Sequence, residues 1–523
     1  MVRVLDCTLR DGGYVNNWAF TKVQTTRIVS SLEESCVDII EFGYLDKNGA
    51  KDSTLFNDIS SLNDILSNVS KDITRVVMID LFSFDVSDLP NQADTEIDGI
   101  RLAFHKKDLK SAIEIAKQII DLGYLLFFQP MVTKNYSDDE FLSLIKEANK
   151  LDIHAFYIVD SFGSMSLPEF RKYVDFADTH LRKGLHLGYH SHNNMQLAFS
   201  NAIDFCNSNI DRAIIIDSSI YGMGRGAGNL YTELIMDYLN NNLSGKYEIF
   251  PLLEVIDGIL NFYLSKSPWG FSPEQYLSAS LECHPNYASY LVNKKTNYMT
   301  DIKRILEKIP RDKRVSFDKE LVDDLYMQLS LEERSNVSGH MSIPNDRNVL
   351  LVASGSSVID NLELIRKKSQ DENYLTIALN HKPPLDCDYY FFSNQRRFDD
   401  FKSRLPLEKC VITTNIEHDH EVGAVINFKD IAYVEKGFVT NVAILMINHL
   451  INNSVRAIEI AGLDGYQSGI DNYSYNETNI VSNDKLFMEL NQTVQKSLDV
   501  LKSFISIELI TPSVYSNLYQ EDS

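Results

Sequence analysis

The stretch LHLGYHSHNN carries His190 and His192 at alternate positions of a β-rich run. Side chains alternate along a strand, so the two imidazoles share a face and can grip one ion. Asp11 stands at the end of another such run, MVRVLDCTLRD. Two imidazoles and a carboxylate leave coordination positions open for a substrate oxygen, as a catalytic rather than a structural metal site requires. The donors suit Mn²⁺, Mg²⁺, Co²⁺ or Zn²⁺, with Mn²⁺ or Mg²⁺ favoured as the working ion, because the affinity order alone does not choose among them. The plainer alternative is a pair of histidines hydrogen-bonded in a polar strand end.

Position favours the metal reading, and the surrounding elements set position. Strands are expected at 2–8, 37–43, 75–80, 99–104, 125–132, 155–160, 185–192 and 212–218. Apolar residues at helical spacing separate them, as in Leu109, Ala112, Ile113, Ala116, Ile119 and Ile120. Thr21 with Gln24, and Ser137 with Glu140, have the pattern of capping boxes that open helices. Eight strand–helix units of roughly thirty residues imply a (β/α)₈ TIM barrel over residues 1–240, with chemistry at the carboxyl ends of its strands. An open doubly wound sheet would not explain why the candidate ligands gather at the ends of strands one, seven and eight.

Residues 241–335 turn helical and read as an extension of the barrel. A polar, turn-rich linker covers 330–347. Strand–helix alternation then resumes, so 346–523 is expected to be a smaller Rossmann-like α/β domain ending in a helix and a polar tail. In VLLVASGSSVIDN, Gly355, Ser356 and Ser357 form a strand–turn–helix whose N–H groups are candidates for binding an anion. No GxGxxG fingerprint and no P-loop lysine accompany them. A purely structural domain and a nucleotide- or sugar-phosphate-binding one stay equally open, with a faint likeness to Rossmann-like domains of the sialyltransferase-related kind.

The 523 residues carry 50 basic and 73 acidic side chains, a net charge of −23, with 44% hydrophobic and 24% charged residues. Such a balance excludes extensive disorder and a nucleic-acid role. It permits a small anionic substrate, since one arginine and a metal ion can reverse the potential inside a pocket. The N-terminus lacks a signal-peptide layout and no apolar stretch reaches membrane-spanning length, so no membrane insertion and a cytoplasmic location are expected. The six cysteines lack disulfide or zinc spacing and are expected to be free thiols. A homo-oligomer is compatible with all of this.

LDCTLRDGGYVNNWAF, HSHNN and SSIYGMGRGAGNLYTE together resemble the metal-dependent lyase superfamily of barrel enzymes, the HMG-CoA lyase-like or DRE-TIM metallolyases. The resemblance is nearest to the 4-hydroxy-2-oxovalerate aldolases. It covers about residues 1–240 and continues more faintly to about 320. It implies an aldolase joining or splitting a pyruvate-type enolate and an aldehyde, the aldehyde being a sugar derivative if the appended domain bears on it. The TLRDG signature implies Asp11, His190 and His192 as metal ligands and Arg10 as the stabiliser of the enolate oxygen. Asn229, in the glycine-rich turn, is implied as a direct or water-mediated ligand, or as a helix cap. Asp160 and Ser161 match a VDS segment that orients substrate or supports a ligand. Tyr287 is placed like a catalytic tyrosine of the extension, with core packing as its alternative. One departure stands out: the related aldolases carry a catalytic histidine where this chain has Tyr14, which leaves the base and the acceptor open. Two rival functions are a Claisen-type acyltransferase using an acyl-CoA, and a sugar-nucleotide-binding protein with a vestigial barrel.

Overall fold

Eight short β-branched and aromatic runs pair in parallel and close on themselves in the computed structural model. It describes every residue except 51–52, 67–68, 295–297, 345, 436, 468–471, 476–483 and 516–523. The strands are β1 (Val2–Asp6), β2 (Ile39–Leu45), β3 (Thr74–Asp80), β4 (Gly99–Phe104), β5 (Leu125–Pro130), β6 (Ala155–Asp160), β7 (His186–Ser191) and β8 (Ile214–Ser218). Each pairs with its neighbour in chain order. β8 returns to β1 in the register Val2↔Ile214 to Asp6↔Ser218, and β1 also pairs β2 through Leu5↔Ile39. The expected TIM barrel is therefore present. Helices such as α1 (Lys22–Glu34), α2 (Leu109–Asp121), α3 (Asp138–Ala148) and α4 (Leu167–His180) alternate with the strands. Both expected capping boxes form at the starts of α1 and α3.

Several ends differ from expectation, each for a local reason. β1 stops at Asp6 rather than residue 8, because the Asp6 carboxylate accepts the Thr8 N–H at 2.9 Å and starts a helical turn, Thr8–Asp11. Arg10 and Asp11 thus sit on that turn and not on the strand. β5 stops at Pro130, and Val132 adopts left-handed backbone at φ 52.

Buried side chains fall into two sets. One lies between the strands and the surrounding helices, including Val4, Ile40, Leu102, Phe128 and Ile216. A smaller set, with Leu5, Ile39, Val76, Phe127, Tyr157 and Ile215, includes residues that alternate with those along the same strands. Glu41, Arg101, Tyr157 and Asp217 come from β2, β4, β6 and β8. Alternate strands contribute the layers of a barrel interior in this way.

The chain divides into two compact units, Met1–Ser289 with Pro310–Phe317, and Tyr290–Ile309 with Asp318–Ser523. The second contains helices Met299–Lys308 and Lys319–Ser330 and a mixed sheet. Its parallel strands are β9 (Asn348–Val352), β10 (Tyr374–Leu379), β11 (Tyr389–Phe392), β12 (Cys410–Thr413), β13 (Ala424–Ile426), β14 (Ala457–Ala461) and β15 (Ser506–Leu509). They run in the order β13-β12-β11-β10-β9-β14-β15, with Ser338–Gly339 antiparallel at the β13 edge. Alternate residues of β9 enter different apolar clusters, Val349 and Leu351 one and Leu350 and Val352 the other, so both faces are covered. The last helix, Asp484–Leu501, is present; the expected polar tail lies partly outside the described residues. Cys7, Cys206, Cys283, Cys387 and Cys410 are buried free thiols, and Cys36 is exposed. Among the described residues no helix is long and apolar enough to cross a membrane.

One glycine couples this frame to the HSHNN segment. Gly163, after β6, has φ +56, and a Cβ there would lie 2.6 Å from both the Asn194 nitrogen and the His192 carbonyl oxygen. Gly163→Ala is expected to destabilise the chain by more than about 1 kcal/mol, because the conformation and the space both exclude a methyl group. Chemical denaturation of the purified variant checks this; a stability equal to the parent's would contradict it.

Candidate active site and metal centre

The turn after β1 and the end of β7 bring Asp11, His190 and His192 together. One donor atom from each lies within 4.8 Å of the others, and all three residues are buried. His192 follows the last residue of β7 and pairs as a single antiparallel bridge with Asn229. Asn229 comes from the turn 222–229, and its Nδ2 donates to Asp11 Oδ2. Gly224 must lack a side chain here, since a Cβ would stand 2.4 Å from Asn229 Nδ2 and 2.9 Å from Asp11 Oδ2. Asn229 Oδ1 and His192 Nδ1 are buried without a hydrogen-bond partner, and His192 Nδ1 faces Asp11 Oδ2 at 3.9 Å. An unpartnered amide oxygen and an unpartnered ring nitrogen beside a carboxylate are what a cation would satisfy, and the N/O donor set suits a hard or borderline divalent ion.

Beneath this group runs a chain of charged partners that the sequence reading did not single out. Arg10 Nη1 donates to Asp11 Oδ1 and its Nε to Glu41 Oε2, both at 2.8 Å. Arg101 Nη1 lies 2.7 Å from the same Glu41 oxygen, its Nη2 bonds Asp217 Oδ2, and its guanidinium carbon is 5.2 Å from the centre of the Tyr157 ring. Asp217 in turn accepts from His190 Nδ1 at 2.9 Å. That bond fixes the tautomer and leaves His190 Nε2 with its lone pair, the outer-shell arrangement of metal-bound histidines. Burial would raise the Asp11 carboxyl, yet Arg10 and the two histidines bring it well below the usual carboxylate range. It stays ionised.

Arg10 is 3% exposed, and its Nη2 has no hydrogen-bond partner. Glu41 and Asp11 clamp the rest of the guanidinium, so one buried donor remains beside the ligand group.

The other expected residues fare differently. Asp160 accepts the Ser164 and Met165 N–H groups at 3.0 and 2.9 Å, and burial pushes its carboxyl up to about 6. Ser161 Oγ accepts the Val132 N–H at 3.0 Å. These bonds secure the loops after β6 and β5. Tyr14 is 41% exposed, its hydroxyl 3.3 Å from that of Tyr44, with Trp18 edge-on at 4.8 Å. Tyr287 is fully buried; its hydroxyl is taken by the Lys313 and Ser316 carbonyls at 2.9 Å each, and Phe317 packs on its ring. Packing, the alternative weighed for it, is what these bonds support. His284, three residues earlier, lies 3.5 Å from Arg225. In the second unit Asp464 takes both the N–H and the hydroxyl of Ser357, and a Cβ on Gly355 would meet that carboxylate at 2.4 Å. Gly355, Ser356 and Ser357 thus face a carboxylate of the same chain, which disfavours an anion there.

Burial drives the His192 ring from its ordinary 6.5 to about 3, with Arg225 adding to the effect. The unfolded chain takes up a proton below pH 6.5 that the folded site refuses until about 3, so this contribution to stability falls as pH falls through that window. In chelator-treated protein, His192→Gln should therefore gain on the parent by up to about 1.4 kcal/mol per pH unit between pH 6.5 and 4. Denaturation curves at several pH values measure the difference; one that stays constant with pH would contradict the neutral buried ring.

Residues 1–255 match the HMGL-like family profile. The chain is 25% identical over 354 residues to 4-hydroxy-2-oxovalerate aldolase 6 of Rhodococcus jostii, a match covering 66% of this chain and 96% of that protein. It is 24% identical over 278 residues to the oxaloacetate decarboxylase of Mycobacterium tuberculosis, covering 52% of this chain and 79% of the other. Among solved structures, the N-terminal domain of a Bacteroides vulgatus protein named as a candidate aldolase aligns with a TM-score of 0.50 at 27% identity, over 58% of this chain and 99% of that domain. The carboxyl transferase domain of Rhizobium etli pyruvate carboxylase, solved with pyruvate, aligns with a TM-score of 0.50 at 13% identity and shares the fold, over 63% of this chain and 61% of its own. The chain is a lyase, and its barrel, residues 1–255, matches the HMGL-like family.

Proposed function

We propose that this chain is a divalent-metal-dependent aldolase that forms or cleaves a carbon–carbon bond between a pyruvate-type enolate and an aldehyde. The observation that carries the reading is the unpaired, buried Arg10 Nη2 beside the Asp11–His190–His192 group. The names of the similar aldolases and decarboxylase support the same class of 2-oxo acid chemistry. Asp11, His190 and His192 would hold the ion, with Asn229 as a further oxygen donor and Mn²⁺ or Mg²⁺ as its favoured identity. When bound, the ion supplies Lewis acidity toward the oxygens of a 2-oxo acid.

The chain's own groups do the rest. The formal charges of the buried set are two guanidinium groups, Arg10 and Arg101, against three carboxylates, Glu41, Asp11 and Asp217, so 2 − 3 leaves one negative charge before any contribution from the histidines. A divalent cation turns that sum positive and makes the site receptive to a 2-oxo acid anion. Arg10 Nη2 donates to the oxygen on which negative charge grows when the methyl group passes its proton to a general base, which later returns a proton to the aldehyde oxygen. A fixed donor is worth most in such a water-poor place. Asp217 keeps the His190 tautomer, and Glu41 keeps the Arg10 fork aimed. The enolate carbon then bonds to the aldehyde carbon, and the aldehyde oxygen takes up a proton. Tyr14, exposed at the rim, lines the acceptor side in this reading. Asp80 ends β3 within electrostatic reach of Tyr44 and Arg225, and burial lifts its carboxyl to about 6, a value suited to exchanging a proton near neutrality.

The test isolates the first half-reaction, proton–deuterium exchange at the pyruvate methyl group. Exchange should stop in excess chelator and return with Mn²⁺. Arg10→Ala should slow it by about a hundredfold or more, the scale of losing one oxyanion donor. Exchange that persists in chelator, or an Arg10→Ala variant as fast as the parent, would overturn the proposal.

A further inference from the structure

Arg225 occupies the middle of the turn GMGRGAGN that also carries Asn229. It is partly exposed, whereas Arg10 is buried, so it stands outward of the ligand group. Its guanidinium carbon lies 5.4 Å from the centre of the Tyr14 ring. Its Nη2 is 3.5 Å from His192 Nε2 and its Nη1 is 3.5 Å from His284 Nε2. Among the described residues no carboxylate comes within ion-pair distance of Arg225, and its Nε is buried without a partner. Every other guanidinium of the site is locked between carboxylates. This one is not.

His284 sharpens the point. Its Nδ1 accepts the Asn286 N–H at 3.2 Å, which assigns the proton of the neutral ring to Nε2. Burial keeps that ring neutral, with its pKa lowered to about 3. The Nε2–H of His284 and the Nη1–H groups of Arg225 are therefore donors that approach each other and cannot bond to each other. They converge on a position that calls for an acceptor. His105, just past the end of β4, adds a further ring within electrostatic reach of both, and Lys107 follows it. The carboxylates that feel Arg225 are Asp80 and Asp11. Asp11 is already engaged by Arg10 and Asn229. Arg225 thus sets a positive charge on a donor-lined edge of a chain whose net charge is −23.

We infer that the acceptor aldehyde carries an anionic group, a carboxylate or a phosphate, and that Arg225 with His284 binds it. This rests on the aldolase reading. Arg10 and the metal ligands account for the 2-oxo acid, while Arg225 lies on the solvent side, from which the acceptor enters. A guanidinium offers a planar fork to either anion.

The experiment uses the full chain with Mn²⁺ and pyruvate. It compares kcat/KM for propanal and glyceraldehyde, which are neutral, with succinic semialdehyde and glyceraldehyde 3-phosphate, in the parent, Arg225→Gln and Arg225→Lys. The parent should favour at least one charged aldehyde over its neutral counterpart, and which arm responds names the anion. Arg225→Gln should shrink that preference by at least about tenfold, the scale of a hydrogen bond to a charged group, and Arg225→Lys should keep part of it. A parent indifferent to charge would overturn the inference. So would an Arg225→Gln variant that loses rate equally with all four aldehydes, since Arg225 would then serve pyruvate or packing. Pyruvate exchange in the parent is run alongside: its absence removes the aldolase reading itself, and its presence without charge preference removes this inference alone.

Discussion

A relay of buried charges holds the barrel interior and the site in one arrangement. Glu41 receives Arg10 from one side and Arg101 from the other, and Arg101 passes to Asp217 and so to His190. Each member lies on a different strand or turn, and each is nearly or fully buried. Burying charges is costly unless every one is paired, and removing one partner strands the others. The ion-pair network is therefore weak evidence for stability and strong evidence for a constraint on position. It fixes where the Arg10 fork points and which nitrogen of His190 faces Asp11.

That constraint separates the inner site from its rim. Inside, paired carboxylates leave one guanidinium donor and one set of metal-type donors free. At the rim, Tyr14, Arg225 and His284 come from the turn after β1, the turn after β8 and the helical extension. Strand ends and the helical turn directly after β1 position the first set, while the turn after β8 and the helical extension contribute to the second, as suits residues that distinguish one acceptor from another. The replacement at Tyr14 belongs to this outer set: its ring lies against the Arg225 guanidinium, and its hydroxyl meets Tyr44.

Much of this was legible in the residues. The alternation of His190 and His192 and the eight β-rich runs follow from strand periodicity, whereas Asp11 sits on the helical turn that Asp6 starts after β1. Both capping boxes formed where Thr21 and Ser137 announced them. The relay was less so, because Glu41, Arg101 and Asp217 each sit singly within apolar runs, IIEFGYL, GIRLAF and IIIDS. A lone charge at an inward position of a barrel strand is the signal that would have found them. Tyr287 drew notice by its spacing, yet its hydroxyl is spent on two carbonyls, and the neighbouring His284 reaches the site. The fate of Ser357 depends on Asp464, more than a hundred residues away, and no local pattern announces such a pairing.

The central claim is that one divalent ion and one enolate-like anion share the space between Asp11, His190, His192 and Arg10. Anomalous diffraction from crystals grown with Mn²⁺ and oxalate, a stable planar mimic of the pyruvate enolate, tests it most directly. The account predicts one manganese peak ligated by those three side chains, with an oxalate oxygen accepting from Arg10 Nη2. Manganese bound elsewhere, or oxalate that leaves Arg10 Nη2 without a partner, would contradict it.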